Sequence, residues 1–417
     1  MFVKGKIEFF QKNIGKSLDG EQSAIANKGA LCYNAIRKRE KWGVDMTGQW
    51  HSAPLSELPQ VRILGRHSGA DPLTLFWSGS GVELDYTGSE LWAEFYVSYQ
   101  EMEPWVTVEV DGAFLTRLPL NPGQNRLCLL RGVAAGKARH IRLLKETQAM
   151  SADARHLLQI TALQWRDGEF LPLPAPCYRL EFVGDSITSG EGAIGSPETE
   201  NWNSSIFSVQ QHYARETADA LGAEFRLISQ SGWGVLSGWD NDLRHNLPEY
   251  YTRVCGVMRG PEQAAQGAQR EQPFAEWQPD AVIVNLGTND CYAFDSPAWT
   301  DPETGEQHQL HRCADGSFDP ADTARIQQAV VRFLALLRRC NPQAQLVWAY
   351  GMLGHAMQPV LEAGVAQYRA ESGDEQVHFV LLPDTQPGAF GAHGHPGAAS
   401  HRAAADVLTE ALRMILA

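Results

Sequence analysis

Between Val61 and about Trp165, apolar and polar residues alternate in short runs punctuated by Gly and Pro, and no helical periodicity persists long enough for a long helix. These runs predict strands at 61–64, 73–77, 82–86, 90–99, 105–110, 113–118, 126–130, 138–145 and 157–164. The clearest hairpin runs from Trp105 to Val110 and turns through Asp111-Gly112, because Asp-Gly supplies the pair of positive φ values a tight type I′ turn needs. So many short strands must bury their apolar faces as paired sheets, which predicts an all-β sandwich or jelly-roll domain over residues 60–170. Upstream, Val3, Ile7 and Phe9 alternate with Lys4, Lys6 and Glu8 and predict one strand. The rest of residues 1–59 carries no clear pattern and is taken as an N-terminal extension, at least partly packed on the β domain.

Leu171-Pro-Leu-Pro-Ala-Pro176 imposes a stiff, extended linker, since each proline disfavours helix in the residue before it. After it strands and helices alternate: strands at 178–183, 224–229, 280–286, 345–350 and 377–382, helices at 205–221, 320–339, 356–371 and 397–416. That alternation predicts a three-layer α/β/α domain over 177–417 with a mainly parallel sheet. Polar loops at 190–204, 237–279 and 291–319 are too long for simple connections and are candidate lids.

Charge narrows the partners. The 417 residues carry 35 Lys+Arg against 49 Asp+Glu, a net charge of −14, which argues against nucleic acid or an anionic membrane surface. No apolar run reaches the roughly 18–20 residues that cross a bilayer. The opening residues lack the apolar core and cleavage site of a secretory signal, so a cytoplasmic location is expected. Seven scattered cysteines without a C-x-x-C pair fit a reducing compartment and read as small buried hydrophobes.

Candidate chemistry follows the strand ends. Gly184-Asp185-Ser186 stands after the first strand of the α/β domain, where ligands gather, although a plain turn is the alternative. Gly232, in Ser231-Gly232-Trp233, could bring a backbone N–H to a ligand, and Asn289, in Gly287-Thr288-Asn289-Asp290, could offer an amide to a developing oxyanion. His395 stands just before the last helix. Together these residues supply a nucleophile, oxyanion donors and a base, the complement that acyl transfer requires.

The four blocks around Ser186, Gly232, Asn289 and His395 resemble those of the SGNH, or GDSL-type, hydrolase superfamily over residues 178–417. The strand-rich region in front, with Leu64-Gly65-Arg66, is similar to carbohydrate esterase family two, whose members join a small jelly roll to an SGNH domain and deacetylate plant polysaccharides. The resemblance implies Ser186 as nucleophile and His395 as general base and acid. It also implies an oxyanion hole made by the Ser186 and Gly232 N–H groups and the Asn289 amide. The family pattern places an aspartate three residues before the histidine, where this chain has Ala392. A Ser-His dyad with the histidine oriented by a backbone carbonyl, and no nearby negative charge, is therefore expected, with Asp384 the rival third member.

Other signals are weaker. Gly190-Glu-Gly192-Ala-Ile-Gly195 matches G-x-G-x-x-G but opens no helix of a dinucleotide site. His393, His395 and His401 lack an acidic or cysteine partner at ligand spacing, so no metal site is predicted, and no cofactor motif occurs. Trp202, Trp233, Trp239 and Trp299 fall in loops around the site, and Trp233, with Trp299 and Trp202, is the preferred sugar-stacking set. The leading expectation is an O-acetyl esterase acting on an acetylated hemicellulose-type oligosaccharide or polysaccharide such as xylan or mannan. A non-catalytic carbohydrate-binding protein with a degenerate hydrolase domain, or an SGNH lipase or thioesterase, is the alternative.

Overall fold

Strands with apolar residues at alternate positions bury one face each, and two sheets of such strands can close on one core. The computed structural model describes residues 49–417, so the strand expected at residues 3–9 lies outside the described residues. Its first eleven strands are β1 (Trp50–Ala53), β2 (Arg62–Leu64), β3 (Leu73–Thr74), β4 (Gly81–Tyr86), β5 (Glu90–Ser98), β6 (Trp105–Val110), β7 (Ala113–Pro119), β8 (Gly123–Arg131), β9 (Arg139–Lys145), β10 (Leu157–Arg166) and β11 (Phe170–Leu171). They form two antiparallel sheets, β1-β10-β5-β8 with β3 on β10, and β11-β4-β9-β6-β7 with β2 on β4. Val82, Leu84 and Tyr86 of one sheet share a core with Leu91, Ala93 and Phe95 of the other. In the β6–β7 hairpin both Asp111 (φ 53°) and Gly112 (φ 77°) take the positive φ expected of them.

From Tyr178 onward the chain forms β12 (Tyr178–Gly184), β13 (Ala223–Ser229), β14 (Ala281–Asn285), a small hairpin of β15 (Trp299–Thr300) and β16 (Gln307–His308), β17 (Gln345–Tyr350) and β18 (Val377–Leu381). Helices α1 (Ser186–Ser189), α2 (Tyr213–Leu221), α3 (Pro261–Ala265), α4 (Thr288–Ala293), α5 (Pro320–Cys340), α6 (Gln358–Ser372) and α7 (Ala398–Ile415) intervene. The sheet order β13-β12-β14-β17-β18 is parallel throughout, with α5 and α6 packed on one face and α2 and α7 on the other. The chain runs from β12 to β13 on one side and to β14 on the other, which makes the carboxyl end of β12 a switch point where ligands gather.

Two expectations are corrected. The helix predicted over 205–221 begins only at Tyr213, because residues 205–208 are held in other bonds: Arg117 donates to the Ser205 and Phe207 carbonyls and Ser208 N–H to Gly190 O. The cysteines are not uniformly buried: Cys255 is, but Cys177 is exposed. Among the described residues no helix is long and apolar enough to cross a membrane.

The front sheets and the α/β sheet are joined by a buried ion pair. Arg66, 1% exposed, donates from Nη2 and Nε to the Glu181 carboxylate of β12 at 3.1 and 3.2 Å, and from Nη1 to the Tyr251 and Arg253 carbonyls. The Tyr251 hydroxyl donates to the same carboxylate at 2.6 Å and accepts from Asn341 Nδ2 at 2.7 Å. Removing one partner strands a buried charge. Arg66→Met is therefore expected to cost about 3–5 kcal/mol in denaturant unfolding, and the double replacement with Glu181→Met to recover most of it. Equal losses in single and double variants would show that the charges are not coupled.

Candidate active site

Strand β12 delivers Asp185 and Ser186 to the sheet's carboxyl edge. Gly184 must be glycine, since a Cβ there would stand 2.1 Å from Thr188 Oγ1 and 2.7 Å from Asn285 O. Asp185 caps α1, its Oδ1 accepting from Ile187 N–H at 3.0 Å, and burial pushes its carboxyl up to about 7. Ser186 thus begins a helical turn, with its Oγ 2.9 Å from His395 Nε2. The other ring nitrogen of His395, Nδ1, lies 2.8 Å from the His393 carbonyl. The backbone-carbonyl arrangement expected from the missing aspartate is what the chain adopts.

The expected absence of a nearby negative charge is corrected. Glu191, 2% exposed, places Oε1 2.7 Å from His393 Nδ1 and 3.7 Å from His395 Nδ1, while Oε2 accepts from the Ser231 hydroxyl at 2.5 Å. Burial pushes the Glu191 carboxyl up, but the His393 bond, the charge of His395 and the Ser231 bond outweigh it and hold it below the ordinary carboxylate range. Asp384 is occupied elsewhere, accepting from the Gly354 and Thr385 N–H groups, both at 2.9 Å. The glycines of 190–195 now have a purpose: a Cβ on Gly192 would stand 2.4 Å from Ala392 O and 2.5 Å from His395 Cβ. That close approach lets Glu191 reach under the histidine loop. The signal in the sequence was an acid between two glycines just downstream of the serine.

Gly232 and Asn289 face the same cavity as Ser186 and His395, which has a volume of about 670 Å³. Asn289 Nδ2 donates one hydrogen to Trp233 O at 2.9 Å, which fixes the amide and leaves its second hydrogen available. Its neighbour Asp290 accepts from the N–H groups of Val235, Leu236 and Ser237, tying down the loop beyond Gly232.

The tryptophans sort differently from expectation. Trp202 lines the cavity, as expected. Trp233 is 8% exposed and sits in the core, stacked on His245 at 5.1 Å and against Tyr250 at 5.1 Å, so it is not a sugar contact. Trp299 packs beneath the Arg244 guanidinium and stands off the cavity. Trp239 takes the place given to Trp233: its N–H donates to Gly232 O at 3.1 Å, and its indole, 53% exposed, lines the cavity. The loop has to fill the core with its first indole before it can present the second.

Among the described residues Glu191, His393 and His395 form a group whose ligand atoms lie within 4.8 Å of one another, so the acidic partner absent at sequence spacing is supplied by the fold. His401 stands apart, buried against His212 and Tyr213. The three grouped side chains already satisfy one another or the chain, which describes a hydrogen-bond relay ending on Ser186.

Residues 182–403 match the GDSL-like lipase/acylhydrolase family. The chain is 42% identical to an acetyl xylan esterase (Est2A) from the rumen bacterium Butyrivibrio proteoclasticus, covering 88% of this chain and 98% of that one with a TM-score of 0.86. It is 26% identical over 365 residues to an acetylxylan esterase/glucomannan deacetylase of Cellvibrio japonicus, covering 86% of this chain and 89% of the relative. It is 27% identical over 372 residues to the cellulase/esterase CelE of Acetivibrio thermocellus, covering 86% of this chain but spanning only 40% of that protein's length.

Two outcomes are expected of Glu191→Gln. Loss of the charge beside the histidine should lower kcat/KM by about 10²-fold, and an unchanged value would remove Glu191 from the relay. Because its folded pKa is depressed, Glu191 stabilises the fold above the ordinary carboxylate range and loses that contribution as pH falls through the folded value. Unfolding followed against pH should therefore show a shallower acid loss in the variant.

Proposed function

Since the chain belongs to the GDSL-like lipase/acylhydrolase family, we propose that it is a carbohydrate O-acetyl esterase that removes acetyl groups from hemicellulose-type oligosaccharides or polysaccharides, xylan or mannan, through a serine acyl-enzyme. The observation that carries this reading is the 2.9 Å contact between Ser186 Oγ and His395 Nε2 at the floor of a cavity flanked by Trp202 and Trp239. The names and overall likeness of the acetylxylan esterase relatives support the substrate class. We read the paired front sheets as a jelly roll, with the module boundary in the Pro-rich segment 171–176. The six free cysteines among the described residues support a reducing, cytoplasmic setting.

In this mechanism His395 Nε2 takes the Ser186 proton as Oγ attacks the acetyl carbonyl carbon. Negative charge then develops on the carbonyl oxygen, where the Ser186 and Gly232 N–H groups and the Asn289 amide stabilise it. The imidazolium is held by the His393 carbonyl at Nδ1 and by the Glu191 carboxylate beyond. It returns the proton to the sugar oxygen, which leaves as the alcohol. A water activated by the same Nε2 attacks the acetyl-enzyme, acetate departs, and Ser186 is reprotonated. Flat C–H faces of a sugar stack on indoles, which orients the acetylated hydroxyl toward Ser186.

Ser186→Ala should fold normally and lose about 10³-fold or more in acetate release from acetylated xylo- or manno-oligosaccharides. Turnover within a few-fold of wild type would place the chemistry elsewhere, and wild-type preference for long-chain esters would favour a lipase. Trp239→Ala should raise KM for the oligosaccharide by about tenfold, with little change for a small aryl acetate, whereas Trp233→Ala should instead lower thermal stability. Equal KM effects of Trp239→Ala on both substrates would remove the stacking role.

A further inference from the structure

The front sheets do more than precede the α/β sheet: Met102, Gln148, Met150, Ser151 and Ala152 line one wall of the cavity that holds Ser186. Gln148 is the member with a defined bond across to the opposite side. Its side chain is 4% exposed, and its Oε1 accepts from Ser231 N–H at 2.8 Å, the peptide immediately before Gly232. Its own carbonyl accepts from Lys145 Nζ at 2.8 Å, and the same ammonium donates to Phe76 O at 2.6 Å. Lys145 is fully buried and, among the described residues, forms no ion pair, so burial pushes its ammonium down to about 7. By gathering the Phe76 and Gln148 carbonyls, the buried Lys145 amine fixes where Gln148 begins.

On its other flanks the Gly232 loop is already pinned. Gln230 N–H donates to Gly184 O at 3.1 Å, Gly234 N–H to His245 O at 3.1 Å, and the Ser231 hydroxyl to Glu191. The Gln230–Ser231 peptide itself is held at both ends, its carbonyl accepting from Trp233 N–H at 3.3 Å and its N–H donating to Gln148 Oε1 at 2.8 Å, the shorter of the two bonds. Gly232, at φ +81°, has the backbone freedom to tilt if that peptide is released.

We infer that Gln148 is a positioning residue of the oxyanion hole, holding the Ser231 peptide so that the next N–H, that of Gly232, stays aimed at the developing oxyanion. The inference rests on the esterase reading. Misplacing a donor by about 1 Å costs up to about 10²-fold, so the effect should appear in kcat for every ester whatever its alcohol.

The experiment compares Gln148→Met, which keeps the bulk and removes the acceptor, with Gln148→Glu, which keeps an oxygen acceptor at the same reach. For Gln148→Met, kcat should fall about 10–100-fold on aryl acetate and acetylated oligosaccharide alike, with KM for aryl acetate within about threefold. The rate at which a fluorophosphonate labels Ser186 should fall in parallel, and Gln148→Glu should recover most of both. A folded Gln148→Met with wild-type kcat, a loss confined to oligosaccharide, or a Glu variant as impaired as the Met variant would each overturn the inference. If Gln148→Met does not fold, Gln148→Leu, which also removes the acceptor, takes its place: a fall in kcat of about 10–100-fold on both esters supports the role, and wild-type kcat ends it. Wild-type protein that releases no acetate from any ester would instead end the functional reading, and the labelling rates would still test the geometry.

Discussion

The bond between Arg66 and Glu181 fixes the frame on which the site is built. Two charges removed from water repay their desolvation only when their remaining hydrogen-bonding capacity is also met. Here the guanidinium spends its other hydrogens on the Tyr251 and Arg253 carbonyls, and the carboxylate takes a third donor from the Tyr251 hydroxyl. The guanidinium also lies over the rings of Tyr251 and Phe274, at 4.6 and 5.1 Å from their centroids. Glu181 sits in β12, the strand that ends at Ser186, and Arg66 follows β2 of the front sheets. The pair therefore sets how far the wall carrying Gln148 stands from the serine.

The chain replaces the usual aspartate with two groups that divide its work. The His393 carbonyl accepts the Nδ1 hydrogen and fixes the tautomer and ring orientation of His395, but it carries only a partial charge. Glu191 supplies a full charge 3.7 Å away, beyond direct hydrogen-bond distance, with its two oxygens accepting from His393 and Ser231. His393 joins the two functions. Its backbone holds the left-handed conformation, φ 53°, which a non-glycine residue keeps only when other bonds secure it, and the side-chain bond to Glu191 together with its N–H to Thr199 O does so.

Much of this is legible in the sequence. Strand and helix positions followed from periodicity, and Asp319 caps α5 through Ala321 and Asp322 N–H groups as its position before Pro320 implied. Ser186, Gly232, Asn289 and His395 were found because each sits at a strand end or before a helix, where local rules fix its place. What escaped were relations set by packing at long sequence separation. Glu191 and His393 are 202 residues apart, and nothing local marks them as neighbours. Trp233 and Trp239 lie in one loop with the same composition around them, and only the core beneath decides which indole is swallowed.

The same limit explains the polar faces of the front sheets. Glu83 and Glu109 stand opposite the apolar faces of β4 and β6, and solvent is the ordinary destination for such residues. Here they are 4% and 3% exposed, because the α/β layer covers them. Arg215 of α2 makes two bonds to Glu109, at 3.0 and 2.8 Å, and Arg142 of β9 reaches Asp219 of α2 at 2.9 Å. An apolar contact of equal area would tolerate sliding. Paired charges do not, since a displacement of a few ångströms leaves buried ions without partners. That directional rigidity matters because the cavity takes its walls from both layers: an interface free to slip would carry Gln148 away from Ser231 and the oxyanion loop with it.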